Sequence, residues 1–446
     1  MTTGNVVVRS AGTPSTVAGP GRVSRARRAT RRQLHRLMTA RRGIFVKVHR
    51  WLSFTVMIWI LLESVTGAAI VFDHEIDRWW NSEHFAVTEG DVGLDAALAA
   101  MKEARPSEPV ASIWTPGSDV SGDAYGAYFT APAEREGDDA VTRLALVDPG
   151  TGNVLTADHR PPELLRILSA LHFNLNSSSV FGLAGVIAIG WLALVWLVVL
   201  LSGFYVWYWP GAKRWANATR VRRGRGRFTF QLDLHKAVGL LSFVPLVAVT
   251  VTGINFAFPS QVEDVVEIVT FGSYDPPSDA LPLSQTRPGA KPIGEEAAMD
   301  IATALDTSIK VHYIDPTGGS SVATYGVVAE VDSAFLGMVG GQRDIEVAVD
   351  QYTGHVVSIE DHALDNFATR AYHEWFYPVH TGEFGGLTTR LLWVVLGLLP
   401  AVLAWSGTTM WLVRLKKRRR RAHRSSTPLS PGPQTEIGTE PQPEMP

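Results

Sequence analysis

The chain of 446 residues contains no cysteine. That excludes disulfides, iron–sulfur clusters, thiolate zinc sites and covalent C-x-x-C-H haem attachment, so any metal must be held by histidine, carboxylate or a non-covalent macrocycle. Methionine is sparse, at eight residues without a Met-rich tract. Together with the missing thiols this argues against a dedicated copper path. No G-x-G-x-x-G loop follows a strand pattern, so a built-in nicotinamide site is not expected. Acidic residues are missing before Glu63, whereas ten arginines precede residue 43. Nothing in the pattern points to nucleic acid.

What is present is apolar sequence in long runs. Hydrophobic residues make up 46% of the chain, and four runs, about 45–72, 181–209, 237–258 and 388–413, are long enough to span a bilayer. Basic blocks flank them at the N-terminus, over Lys213–Arg227 and over Arg414–Arg421. The segments between are acidic: residues 73–171 hold 18 Asp and Glu against 7 Lys and Arg, and 260–386 hold 20 against 5. By the positive-inside rule both termini lie in the cytoplasm and both acidic loops outside, in a multi-pass membrane protein. Arg31-Arg32 could be read as a twin-arginine signal, but the apolar run that follows is too long for a signal-peptide core. A retained first membrane helix is expected.

The chain also repeats itself. His49 and His235 each stand eighteen residues before the glycine of a Thr-Gly pair, Gly67 and Gly253. At about 1.5 Å per residue that is roughly 27 Å, nearly the whole hydrocarbon core. The second and fourth runs end in Ser-Gly pairs at Gly203 and Gly407, and each is preceded by a histidine and a Phe-Gly step: His172 with Phe181-Gly182, His380 with Phe384-Gly385. Within the loops, residues 147–154 and 349–356 are matching strand–turn–strand patterns, each downstream of a helix-like stretch, Leu94–Ala104 and Glu295–Leu305.

The expected fold is therefore an α-helical membrane protein with four transmembrane helices in two tandem repeats and two small α+β extracytoplasmic domains. Its segments are a disordered basic tail (1–42), helix 1 (43–73), domain 1 (74–171), helix 2 (172–210), a basic loop (211–234), helix 3 (235–259), domain 2 (260–379), helix 4 (380–415) and a second disordered tail (416–446). Basic parts of the tails would also touch anionic lipid.

On this topology the histidines fall into one couple at each face. His49 and His235 lie at the cytoplasmic ends; His172 and His380 lie at the outer ends, with His74 and His373 nearby as possible alternatives. Facing imidazoles without cysteine are what a six-coordinate, non-covalent b haem requires, so His49, His235, His172 and His380 are the expected axial ligands of two haem b groups. A lone histidine at a helix end is ordinarily interfacial, and a membrane-helix glycine ordinarily serves packing. The duplicated spacing favours ligation. Gly203 and Gly407 come level with the inner histidines and Gly67 and Gly253 with the outer ones, where a bare backbone would admit a flat macrocycle. Arg50, Lys236 and Arg390 are candidate propionate partners. Glu63, an intramembrane carboxylate, is a candidate proton carrier or partner for a buried hydroxyl. His84, His159, His312, His355 and His362 are expected at the surface, and Trp79-Trp80, Trp207, Trp209 and Trp215 as an interfacial belt.

Four separated motifs carry a family resemblance: the HRW opening at His49, FDHEIDRWWN at Phe72–Asn81, DLHKAVGLLSF at Asp233–Phe243 and HTGEFGG at His380–Gly386. They resemble the PepSY-associated transmembrane helix family over roughly residues 43–420, and the soluble repeats look like PepSY domains. The resemblance implies four membrane helices, two PepSY-like domains and a role in iron uptake, in some members as inner-membrane ferric-siderophore reductases with b haems. It maps the family histidines onto His49, His74, His172, His235 and His380. The expected function is a di-haem electron conduit reducing a ferric siderophore or other ferric chelate outside, fed from inside by a flavoprotein, reduced flavin or quinol. The rivals are a non-catalytic protein that binds peptides or restrains a peptidase, and a haem, copper or siderophore transporter.

Overall fold

The computed structural model describes residues 20–131, 141–175, 182–208, 219–271, 282–306, 308–332, 342–361, 363 and 365–426. Trp209, Trp215, Phe181 and His362 lie outside them. Eleven α-helices and eight strands are assigned among the described residues.

Three helices are long and apolar enough to cross a membrane: the Arg41–Ile70 part of α1 (Pro20–Ile70), α5 (Gly182–Tyr208) and the stretch Glu383–Arg420, most of it α11 (Gly386–Ser426). A fourth crossing is made if α6 (Arg227–Leu241) and α7 (Phe243–Ala257) act as one span, although they bend by 57° at Ser242. An uninterrupted third helix was expected from the hydropathy. Pro245 weakens the helix at this point: it has no N–H to give, and its ring crowds the carbonyl four residues back, at Leu241. Ser242 turns its hydroxyl onto the Val238 carbonyl, 2.8 Å away.

Two further expectations shift. Residues 20–42 and 416–426, expected to be disordered tails, are helical extensions of α1 and α11. Ala, Arg, Leu and Lys are good helix formers, and a helix already nucleated in the membrane segment propagates through them at little cost. The outer histidines do not sit on the spans. His172 lies on α4 (Glu163–Asn174), which ends at Leu175 in the left-handed conformation, and His380 lies on α10 (Phe367–Thr381), which ends at Gly382 with φ +89°.

Outside the bundle, α2 (Asp73–Trp80), α3 (Leu94–Ala104), α8 (Pro259–Val269) and α9 (Glu295–Thr303) accompany one antiparallel sheet. Its strands are β1 (Val110–Trp114), β2 (Tyr125–Ala131), β3 (Val141–Val147), β4 (Val154–His159), β5 (Lys310–Asp315), β6 (Thr324–Asp332), β7 (Gln342–Asp350) and β8 (Val356–Asp361). The order is β4-β3-β2-β1-β5-β6-β7-β8. Two separate domains were expected; the structure joins them edge to edge where Ile113 pairs with Ile314 and Trp114 with Tyr313. Pairing the two inner strands removes both exposed edges from the middle of the sheet.

One core backs this sheet. Leu94, Ala97, Leu98 and Met101 recur at helical spacing on α3, and Ala298 and Ala302 do so on α9. They cover the alternating Tyr125, Ala127 and Phe129 of β2 and Tyr325, Val327, Ala329 and Val331 of β6. The outer hairpins close on aspartates. Asp148 accepts from Thr88 N–H at 2.7 Å and Thr151 Oγ1 at 2.7 Å, and Asp350 accepts from Thr353 N–H at 2.8 Å and Tyr352 N–H at 3.0 Å. Gly152 and Gly354 supply the positive φ that each turn requires.

Candidate functional site

The bundle packs α1 against α5 and α11, α11 against α6, and α5 against α7. These contacts bring four of the histidines into two couples. His49 (α1) and His235 (α6) have ring centres 6.2 Å apart with planes at 79°; His172 (α4) and His380 (α10) have ring centres 6.3 Å apart with planes at 53°. Between the two levels Val56, Ile60, Trp196, Val199, Leu200 and Leu246 fill the interior.

Each imidazole is fixed by the helix beside it. His49 Nδ1 donates to the Val199 carbonyl at 2.9 Å and lies 3.3 Å from Ser202 Oγ. His235 repeats this on the Leu403 carbonyl at 3.1 Å and Ser406 Oγ at 2.9 Å. His380 Nδ1 is 3.0 Å from Thr252 Oγ1. His172 Nδ1 is 3.2 Å from Thr66 Oγ1 and 3.0 Å from Glu63 Oε2, and the other Glu63 oxygen accepts from Trp59 Nε1 at 3.0 Å. A carbonyl or carboxylate can only accept, so Nδ1 carries the proton there and Nε2 is left with its lone pair. This is the tautomer and the outer-shell arrangement of a metal-bound histidine.

The glycines act on the histidines themselves. A Cβ built on Gly203 would stand 2.8 Å from His49 Cε1, on Gly67 2.8 Å from His172 Cε1, on Gly253 3.1 Å from His380 Cε1, and on Gly407 3.5 Å from His235 Cε1. Each Ser/Thr-Gly pair is a seat for one imidazole, with the hydroxyl beside Nδ1 and the missing side chain admitting the ring edge.

The separation of the rings decides what can lie between them. Two metal–imidazole bonds of about 2.0 Å, each extended by the roughly 1.1 Å from Nε2 to its ring centre, span about 6.2 Å. Both couples meet that figure. Around the inner one opens a cavity of 780 Å³, lined by both histidines, Gly203, Gly407, Arg50 and Lys236. Arg50 Nε is buried there without a hydrogen-bond partner among the described residues. Lys236 Nζ pairs with the fully buried Asp233 at 3.0 Å.

Other expected residues fall elsewhere. Arg390 is committed to a carboxylate, its Nη1 and Nη2 reaching Glu75 at 2.5 Å and 2.9 Å over the Phe72 ring. His74 is exposed at the start of α2, and His373 packs on Tyr372 two turns before His380. Neither supplies a ring of the outer couple. Of the histidines expected at the surface, His159 is buried, with Nε2 at 2.8 Å from Asp77 and Nδ1 at 3.0 Å from His84. These contacts tie α2 to β4. Trp79 and Trp80 are exposed, as an interfacial position requires.

Helices that can cross a bilayer three or four times, joined to an antiparallel sheet, define a multi-pass membrane protein with a soluble sheet region. The chain belongs to the PepSY-associated TM region family, whose model matches residues 46–414. No curated protein matches the chain.

Proposed function

We propose that the protein is a transmembrane di-haem b electron-transfer protein of the bacterial inner membrane. It is built as two tandem helix–domain–helix repeats and reduces a ferric siderophore or similar ferric chelate on its outer face with electrons from the cytoplasm. The carrying observation is the pair of ring-centre separations, 6.2 Å and 6.3 Å, which match the span that two imidazoles would take on either side of one iron. Arg50 and Lys236 line the inner cavity, where cationic side chains would suit a carboxylate-bearing occupant. The basic ends of the helices are taken as cytoplasmic by the charge rule.

In this reading His49 and His235 hold the inner group and His172 and His380 the outer one, with Arg50 and Lys236 available to the inner propionates. Haem iron so held supplies one-electron transfer without an open coordination position. The chain's own residues set the conditions. Nδ1–H donation to Val199, Leu403 and Glu63 fixes the tautomers of His49, His235 and His172 and raises ligand basicity, most strongly where the acceptor is the Glu63 carboxylate. Delivery of one electron to Fe(III) gives Fe(II), which hard oxygen donors hold less tightly.

A pyridine haemochrome count on purified protein tests this. Two b haems per chain are expected, falling to one in His49→Ala and to one in His380→Ala. A colourless protein produced with ample haem overturns the reading and favours a peptide-binding membrane module.

A further inference from the structure

We infer that His312, Glu330 and Asp344 form a binding site for a divalent first-row transition cation, and that the natural occupant is ferrous iron. The site itself is independent of the redox reading; the identity of its occupant rests on that reading. The three residues come from adjacent strands, β5, β6 and β7, and one ligand atom from each lies within 4.8 Å of the others. One imidazole and two carboxylates suit Fe(II) or Mn(II) and do not suit Cu(I).

Three observations point to a cation. Glu330 and Asp344 stand directly opposite one another in the β6–β7 register, where like charges destabilise a sheet unless something neutralises them. His312 Nε2 lies 3.1 Å from Glu330 Oε1 yet makes no properly directed hydrogen bond. His312 is also the extra residue of a β-bulge, which falls between Val311 and Tyr313 and re-aims its side chain.

The other half of the sheet is the internal control. There the β1–β2 pairing has the same bulge at Ala111, between Val110 and Ser112, and Thr130 faces Thr142 at the places of Glu330 and Asp344. The bulge and the fold therefore do not need the triad. A structural requirement would appear in both halves; a ligand set need appear in only one.

The triad's location suits a released product. The helices α3 and α9 cover the face of Ala329, Val331 and Ile345, so the alternating Glu330 and Asp344 point to the other. The triad thus lies on the sheet face opposite α3 and α9, open to Fe(II) leaving a reduced chelate.

The test uses the full-length, tag-free protein in nanodiscs, with Mn(II) as a redox-stable probe read by the EPR signal of the free ion. Wild type is expected to bind one Mn(II) per chain, displaced by Fe(II) under anaerobic conditions. The variant H312A/E330T/D344T carries the residues that the other half uses at these places, and its affinity should fall at least tenfold with haem absorbance and melting temperature unchanged. His312→Ala alone, which removes the one nitrogen ligand, is the second variant and should lose affinity in the same direction. No Mn(II) uptake by wild type, or equal uptake by the variants, overturns the site. Mn(II) uptake by a protein without haem would leave the site standing and overturn the electron-transfer reading together with the assignment of Fe(II). Mn(II) that Fe(II) does not displace from wild type overturns the occupant alone.

Discussion

At the scale of single residues, the four Ser/Thr-Gly pairs carry the most specific consequence. The clearance over each glycine differs, so the same substitution should act differently at each. Alanine at Gly203 would place a methyl 2.8 Å from His49 Cε1, closer than real contacts allow, whereas at Gly407 it would sit at an ordinary 3.5 Å from His235. The imidazole cannot retreat from Gly203 without giving up its bond to the Val199 carbonyl. On the di-haem proposal, Gly203→Ala is therefore expected to lower the haemochrome count by one, and Gly407→Ala to leave it unchanged; equal behaviour of the two would contradict the seating role. Histidine position was legible in the sequence because a span fixes depth: eighteen residues separate His49 from Gly67 whatever the packing. Which way each glycine faces was not legible, since azimuth is set by neighbouring helices. Glu63 was conspicuous as an intramembrane acid, but its partner His172 is 109 positions away and no local pattern names it.

Among the elements, the β7–β8 hairpin makes a pH-dependent prediction. Burial would raise the Asp350 pKa, but hydrogen bonds from the Thr353 hydroxyl and N–H, the Tyr352 N–H and Ser284 outweigh it and bring it down to about 2. An unfolded aspartate titrates near 3.9, so the folded value is the lower one. Stability from this carboxylate is then fully present above about pH 4 and is lost as pH falls through about 2. Melting temperature should decline across that window in wild type and decline less steeply in Asp350→Asn, which starts lower because it has lost charge-assisted bonds; parallel curves would count against the assignment. The turn itself was readable from Asp350 and Gly354 because local chemistry dictates it. The bend at Ser242 was not. Pro245 interrupts one span, yet Pro400 lies inside the unbroken α11, so proline alone does not decide between a kink and a tolerated gap. Packing does. The triad on β5, β6 and β7 escaped for a related reason, since its ligands are each many residues apart and meet only through sheet register.

For the molecule as a whole, the decisive feature is the β1–β5 seam. Sequence repetition suggested two independent extracytoplasmic domains, because each copy holds its own helix and four strands. Pairing between the copies could not be read from either. Yet the apolar residues of α3 and α9 share one core, in which Ile113 and Ile314 are fully buried at the junction. A shared core makes unfolding of the two halves one event. Replacing Ile314 by Ala removes buried methylenes at the seam and should cost about 2–5 kcal/mol. In the full-length protein, limited proteolysis of Ile314→Ala with temperature should then expose sites in residues 74–171 and in residues 260–379 over the same interval, although the substitution lies in only one of them. If the first segment keeps its protection while the second is cut, the halves are separate domains that merely touch. Concerted loss would mean that the sheet is a single cooperative unit, able to hold a ligand site in one half at a fixed distance from the strands of the other.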